Sequence, residues 1–211
     1  IGHENVNTRI DRYTQTSDWN IRINQRQFGG IRSDMGLNIG ENLLRFLPRS
    51  TMRPDETFRE THKFTAGATT IELHHARGET DDHLWAWLPE KKWLFAGDFI
   101  IWNYPNAGNP QKVQRYAFEW AQALRRMIAQ GPELLVPAHG LPIEGKAHIA
   151  TVLDDIATSL ESLVTQVIEM MNAGETLDTI IHTVKVPQQI LDKPYMRPLY
   201  DEPEFVVRNI W

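Results

Sequence analysis

The sequence predicts an α/β protein with a layered core, followed by a helical tail. Two observations support this fold class. Between residues 69 and 140, short β-branched or alternating segments are separated by turns and by one helix-like segment. From residue 146 onward, apolar residues recur at three- and four-residue steps, as in helices. We therefore divide the chain into an α/β domain over residues 1–145 and a helical segment over residues 146–211.

The composition is that of a globular protein and excludes several function classes. The 211 residues are 41% hydrophobic and carry a formal net charge of -5, so a surface for nucleic acid or anionic membrane is not expected. No segment approaches the roughly 20 consecutive apolar residues of a membrane span. The chain has no Cys, which excludes disulfides and thiolate ligands. The lack of Cys favours the cytoplasm, and the sequence otherwise leaves the compartment open.

The first two thirds of the chain contain the strands. Residues 1–55 are rich in Arg and Asn and show weak periodicity, so we predict loops with one or two short helices. Strands are predicted at residues 69–76, 83–89 and 93–98, and the last two form a hairpin around the polar turn PEKK. A fourth, buried strand is predicted over residues 133–140.

One helix is predicted between the third and fourth strands. Asn109 is a plausible N-cap with Pro110 at the first helical position, and Gly131 ends the helix. One apolar stripe supports it, formed by Val113, Ala117, Trp120, Leu124 and Met127.

The helical tail begins with one long helix. Its apolar residues run from Lys146 to a stop at Gly174, and a second short helix begins near Thr176 and is limited by Pro187. We expect this tail to pack on the α/β part or on another subunit, which would give a homodimer.

Three polar residues follow predicted strands, each beside a glycine. Glu79, Asp98 and His139 are far apart along the chain, but side chains just past strand ends of an α/β fold gather in one crevice. Carboxylate and imidazole are the ligands that divalent zinc, manganese or iron accepts when thiolate is absent. Taken singly, each residue also fits a simpler role, since Gly-Asp is a common turn and most buried histidines are only hydrogen-bonded.

The run "GETDDHLWAWLPEKKWLFAGD…VPAHG" resembles the metallo-β-lactamase-fold hydrolases. A glutamate at position 79 is similar to the alkylsulfatase branch of that family, and so is the tail "EMMNAGETLDTIIHTVKVPQQIL". The resemblance covers roughly residues 60–211. It implies an αββα sandwich, of which this chain would form the C-terminal part, followed by a helical dimerisation segment.

The resemblance also implies an activity and a cofactor. Glu79, Asp98 and His139 would bind two divalent metal ions, with zinc as the expected metal, and Asp98 would bridge them. A metal-bound hydroxide would then attack a small-molecule sulfate ester or a related ester. Asn103 and Tyr104 follow the bridging residue and are expected to touch the substrate. Asp82 and His83 are expected to contact a metal ligand and fix its orientation, or else to form a solvated turn.

Two features depart from the family pattern. The family motif H-x-H-x-D-H is absent, and we expect it upstream of Ile1, so that the chain alone binds metal weakly and is inactive. Alkylsulfatases usually carry glutamate where Asp98 stands and an Arg-Gly pair soon afterwards, whereas this chain has no arginine until Arg115. Two alternatives therefore stay open: a non-catalytic binding or assembly module, or a lactone, β-lactam or thioester hydrolase on the same fold.

Overall fold

The computed structural model describes residues 1–27, 46–48, 50–109 and 112–211. Contacts between Cα atoms divide the chain into two compact units, residues 1–59 and residues 60–211. The predictions that fall on residues 28–45 and on Pro110 lie outside the described residues. The boundary predicted after residue 145 remains a prediction.

The N-terminal unit contains the short helices that the sequence predicts. Helix α1 spans Asn5–Gln15 and helix α2 spans Ser17–Gln27. Strand β1 (Gly2–His3) pairs in parallel with strand β2 (Thr57–Phe58). The described part of this unit is thus more helical than the weak periodicity suggests.

The second unit is built on a six-stranded sheet. Its strands, in spatial order, are β3 (Thr61–Ala66), β4 (Thr69–His75), β5 (Leu84–Leu88), β6 (Trp93–Gly97), β7 (Leu134–Pro137) and β8 (Ile143–Glu144). All neighbouring pairs are antiparallel except β6 and β7, which are parallel. The three strands and the hairpin predicted between residues 69 and 98 are confirmed.

The sheet has one buried face and one partly exposed face, as the alternation of apolar residues predicts. Trp85 and Leu94 point to the buried face, where they join the core. Trp93 and Phe95 point the other way and are exposed at 36% and 38%. The described helices of this unit therefore cover the face that carries Trp85.

Five described helices complete the unit: α3 (Ala117–Gln130), α4 (Lys146–Asn172), α5 (Leu177–Thr183), α6 (Gln188–Leu191) and α7 (Pro203–Ile210). Helix α4 packs along α3, and fully buried residues such as Leu124 and Leu160 fill the core. Burial of each such leucine side chain contributes roughly 1.5–3 kcal/mol. Among the described residues, none of the helices combines the length and apolarity needed to cross a bilayer.

The start of helix α3 differs from the prediction. The helix begins at Ala117, so Asn109 is not its N-cap. The reason lies in the hydrogen bonds of the preceding residues: the N–H of Tyr116 donates to the carbonyl of Gly78 at 3.0 Å, and both backbone groups of Arg115 bind the side chain of Asn209. These long-range bonds hold the segment out of a helix. The predicted stop is confirmed, because Gly131 adopts a φ of +65° as the C-cap.

Candidate metal-ligand pair and buried carboxylate

Asp98 and His139 lie together because their strands are parallel neighbours. Asp98 directly follows β6, and His139 lies two residues after β7. Parallel strands present their carboxyl ends at the same edge of a sheet, so the two side chains meet there. The distance between His139 Nδ1 and Asp98 Oδ1 is 2.7 Å.

The chemistry of this pair follows from the carboxylate. An ionised carboxylate only accepts hydrogen bonds, so the Nδ1–H of His139 donates to Asp98. In the neutral imidazole that donates from Nδ1, the lone pair lies on Nε2, and the His139 side chain is 69% exposed. A histidine held by a carboxylate through one ring nitrogen can offer the other nitrogen to a metal or to a proton.

His83 supports Asp98 from inside the protein. Its Nε2 accepts a hydrogen bond from the backbone N–H of Asp98 at 3.3 Å, and its ring stacks on Phe99 with the ring centres 4.1 Å apart. A Cβ atom at Gly97 would lie 2.8 Å from His83 Nε2, so only glycine fits beside the ring. Burial lowers the pKa of His83 to about 4, although the charges of Asp98 and Asp82 raise it. The ring is therefore neutral at pH 7, as an acceptor must be.

Glu79 lies in the loop after β4, where it has its own partners. Its Oε1 forms an ion pair with Arg115 Nη1 at 2.6 Å and accepts a hydrogen bond from Asn106 Nδ2 at 3.1 Å. The same Nη1 of Arg115 also donates to the backbone carbonyl of Glu79 at 2.7 Å. The Arg115 side chain is 4% exposed and the Glu79 side chain is 25% exposed, so the cation of this ion pair is buried and the carboxylate is partly exposed.

Arg115 also connects Glu79 to the C-terminal helix. Its backbone N–H donates to Asn209 Oδ1, and its carbonyl accepts from Asn209 Nδ2. Asp201, just before α7, is 1% exposed, and no described residue donates to its carboxylate oxygens with hydrogen-bond geometry. Burial raises the pKa of Asp201 to about 6, although the charge of Arg115 and nearby backbone amides of Gly108 and Glu202 lower it.

Three partners of this region, Asn106, Asp201 and Asn209, could not be identified from the sequence. The only available signal was Arg115, the first arginine after Asp98. Nothing in its local sequence indicates that it pairs with a residue 36 positions earlier.

The structure describes both residues that are expected to touch a substrate, Tyr104 and Asn103. Tyr104 is fully buried, and its hydroxyl is 3.2 Å from Ser159 Oγ. A substrate contact through Tyr104 stays a prediction. Asn103 is half-buried, and its Nδ2 donates to the carbonyl of Ile101 at 3.3 Å.

The described residues meet only part of the requirement for a metal centre. In the segments that the structure describes, no group of three or more His, Cys, Asp or Glu side chains is placed to hold a metal ion. Asp98 and His139 supply two adjacent donors, while Oε1 of Glu79 is occupied by Arg115 and Asn106. A four-coordinate zinc site would therefore need further ligands.

Comparison with known proteins agrees with this architecture. The family model described as the metallo-beta-lactamase superfamily matches residues 22–139. The linear primary-alkylsulfatase of Pseudomonas sp. (strain ATCC 19151) is 25% identical over 163 residues, which are 75% of this chain and 30% of that protein. This chain thus spans about a third of the length of that relative.

Two solved structures share the fold. The stereoselective inverting sec-alkylsulfatase Pisa1 from Pseudomonas sp. has a TM-score of 0.67 at 23% identity, over 75% of this chain and 26% of that chain. A metallo-beta-lactamase family protein from Thermus thermophilus has a TM-score of 0.55 at 13% identity, over 100% of this chain and 64% of that chain. These likenesses confirm the predicted fold class, an α/β fold of the metallo-β-lactamase type with a helical C-terminal region.

Proposed function

Because the chain belongs to the metallo-beta-lactamase superfamily, we propose that it acts in a metal-dependent hydrolase of sulfate esters or related esters. The observation that carries the proposal is the contact between Asp98 and His139 at the shared edge of β6 and β7. A likeness to a linear primary-alkylsulfatase favours a sulfate ester over a lactone, β-lactam or thioester.

We assign the metal to Asp98 and His139, with Glu79 as a further ligand. His139 would bind through Nε2, since its Nδ1–H is given to Asp98. Glu79 would bind through Oε2, since Asn106 and Arg115 both use Oε1. Two divalent ions, zinc by preference, would supply Lewis acidity for ester cleavage, and they would need ligands in addition to these three.

The other residues of the site have supporting roles in this proposal. His83 fixes the backbone of Asp98 by accepting its N–H, and the charge of Asp82 acts on the same ring. Asn103 is kept as the candidate for a substrate contact, because it is half-buried in the loop that follows Asp98.

The test uses a hybrid enzyme, because the chain alone is expected to lack ligands. In the hybrid, this chain replaces the matching part of the Pseudomonas alkylsulfatase, and release of sulfate from an alkyl sulfate is measured. We expect activity that a chelator abolishes and zinc restores, and that Asp98→Ala and His139→Ala each abolish.

His182→Ala is the matched control for His139→Ala. Its side chain is 75% exposed and lies beside Asp178, much as His139 lies beside Asp98, but it belongs to helix α5. The control should keep full activity. Sulfate release that survives both chelation and Asp98→Ala would end the proposal. A hybrid that folds but releases no sulfate would favour the binding-module alternative.

We also propose a homodimer through residues 146–211. Five large apolar or aromatic residues of this segment are exposed, namely Ile168, Met171, Leu199, Tyr200 and Trp211. Ile168→Glu should shift the sedimentation-equilibrium mass from dimer to monomer. A wild-type chain that is monomeric at high micromolar concentration would contradict the dimer without bearing on the hydrolase.

A further inference from the structure

Trp102 has an unfavourable backbone conformation close to the Asp98–His139 pair. Its φ is +56°, in the left-handed region where a bulky side chain is disfavoured. Within the described segments, Lys92 is the other non-glycine residue with positive φ. Such a conformation persists only where the surrounding structure over-determines it, so the contacts of Trp102 must outweigh its cost.

The side chain of Trp102 makes two close contacts with the loop that carries His139. The indole Nε1–H donates to the carbonyl of Leu141 at 2.8 Å. A Cβ atom at Gly140 would lie 2.0 Å from Trp102 Cδ1, so the ring lies directly against the backbone of Gly140. The two residues that follow His139 are thus fixed by one side chain.

His139 needs this support because its own side chain is mostly in solvent. It is 69% exposed, and its contact with Asp98 is a single hydrogen bond. On the other side of His139, the N–H of Ala138 donates to the carbonyl of Gly97 at 3.0 Å. Trp102 holds the second side of the same loop, and it lies only four residues after Asp98.

We propose that Trp102 is a positioning residue that holds the His139 loop against the turn carrying Asp98. The inference rests on the proposed function, because the pair that it positions is the candidate metal-ligand pair. A ligand pair fixed before the metal arrives loses less conformational entropy on binding, which gives tighter binding.

The first test measures the order of the His139 loop by NMR relaxation. In the wild-type chain, we expect a backbone order parameter for His139 near the rigid value of about 0.85. Trp102→Gly permits the positive φ but removes the ring and the hydrogen bond, and should lower the value below about 0.6. Trp102→Phe keeps a ring on Gly140 but loses the bond to Leu141, and should give an intermediate value.

Lys92→Gly is the matched control. It also replaces a residue of positive φ by glycine, but in the turn at the opposite end of β6 from Asp98. The order parameter of His139 should not change in this variant. If the His139 order parameter in Trp102→Gly equals the wild-type value, the proposal is overturned. If Trp102→Gly does not fold, equal order parameters in Trp102→Phe and Lys92→Gly would overturn it.

The second test separates this inference from the proposed function. Binding of Co²⁺ to the hybrid enzyme is followed by its visible absorption, and Trp102→Gly should weaken this binding about tenfold or more, as loss of outer contacts does at metal sites. If the hybrid enzyme without this substitution shows no Co²⁺ binding at all, the metal assignment fails. The order parameters alone then decide the role of Trp102.

Discussion

The buried ion pair between Arg115 and Glu79 leads to a quantitative prediction for stability. Arg115→Met removes the cation but keeps most of the side-chain volume. The guanidinium makes two short contacts with Glu79, at 2.6 Å to Oε1 and 2.7 Å to the backbone carbonyl; it is 4% exposed, and the Glu79 side chain is 25% exposed. Breaking a fully buried pair costs about 3–5 kcal/mol, and because the carboxylate left behind is partly solvated, we expect the lower end, about 3 kcal/mol.

Arg125→Met is the control, because Arg125 also pairs with two carboxylates, those of Asp154 and Glu161, but is 37% exposed. Exposed ion pairs contribute only about 0.2–1 kcal/mol each. In urea denaturation, the midpoint should therefore fall by roughly 1.5 M for Arg115→Met, for a slope of about 2 kcal/mol per M. The midpoint for Arg125→Met should fall by less than half as much.

A double variant identifies the source of the loss. Adding Glu79→Gln to Arg115→Met removes the uncompensated carboxylate, so part of the lost stability should return. Equal losses for Arg115→Met and Arg125→Met, or a double variant no more stable than Arg115→Met, would refute the reasoning.

Three further predictions concern buried groups. The pKa of the Asp201 carboxyl is raised from 3.8 to about 6 in the folded protein, so folding favours its protonated form. The stability that this gives is complete below pH 3.8 and is lost as pH rises through 6, where the buried carboxyl ionises. Asp201→Asn should thus raise the free energy of unfolding by about 3 kcal/mol at pH 8 and change it little at pH 4, as measured by urea titrations. Gly108→Ala places a Cβ atom 2.2 Å from the backbone of Phe205 and should cost about 3 kcal/mol. In the control Gly67→Ala, the added Cβ atom meets no atom within 4 Å, and the substitution should cost about 1 kcal/mol because of the positive φ. Equal losses of stability in the two variants would show that the Cβ atom at Gly108 does not clash with Phe205. Tyr104→Phe removes the hydrogen bond to Ser159, so it should lower the free energy of unfolding by about 1 kcal/mol and leave the KM of the hybrid enzyme unchanged. A changed KM would instead support a substrate contact for Tyr104.

The strands could be predicted because their signal is local. In β5, Trp85 and Trp87 alternate with Leu84 and Ala86, and this period of two is visible in five residues. The long helix α4 has an equally clear period of three to four. Local periodicity therefore sufficed for strands β4 to β7 and for helix α4, whereas the edge strands β3 and β8 were not predicted.

The start of α3 and the partners of Glu79 could not be predicted, because distant contacts determine both. Asn109 and Pro110 have the residue types of a helix start, but Arg115 and Tyr116 are bound by Asn209 and Gly78. Asp98 and His139 could be identified as candidate ligands from their residue types. The contact between them depends on β6 and β7 being parallel neighbours in the sheet, which the local sequence does not show. The sequence identifies candidate ligands, whereas their pairing depends on tertiary contacts.

The two hydrogen bonds between Asn209 and the main chain of Arg115 make the last helix a support for a loop that lies far away in the sequence. Helix α7 carries Asn209, and Arg115 in turn holds Glu79. A substitution that displaces α7 would therefore alter the surroundings of Glu79 without touching any predicted metal ligand.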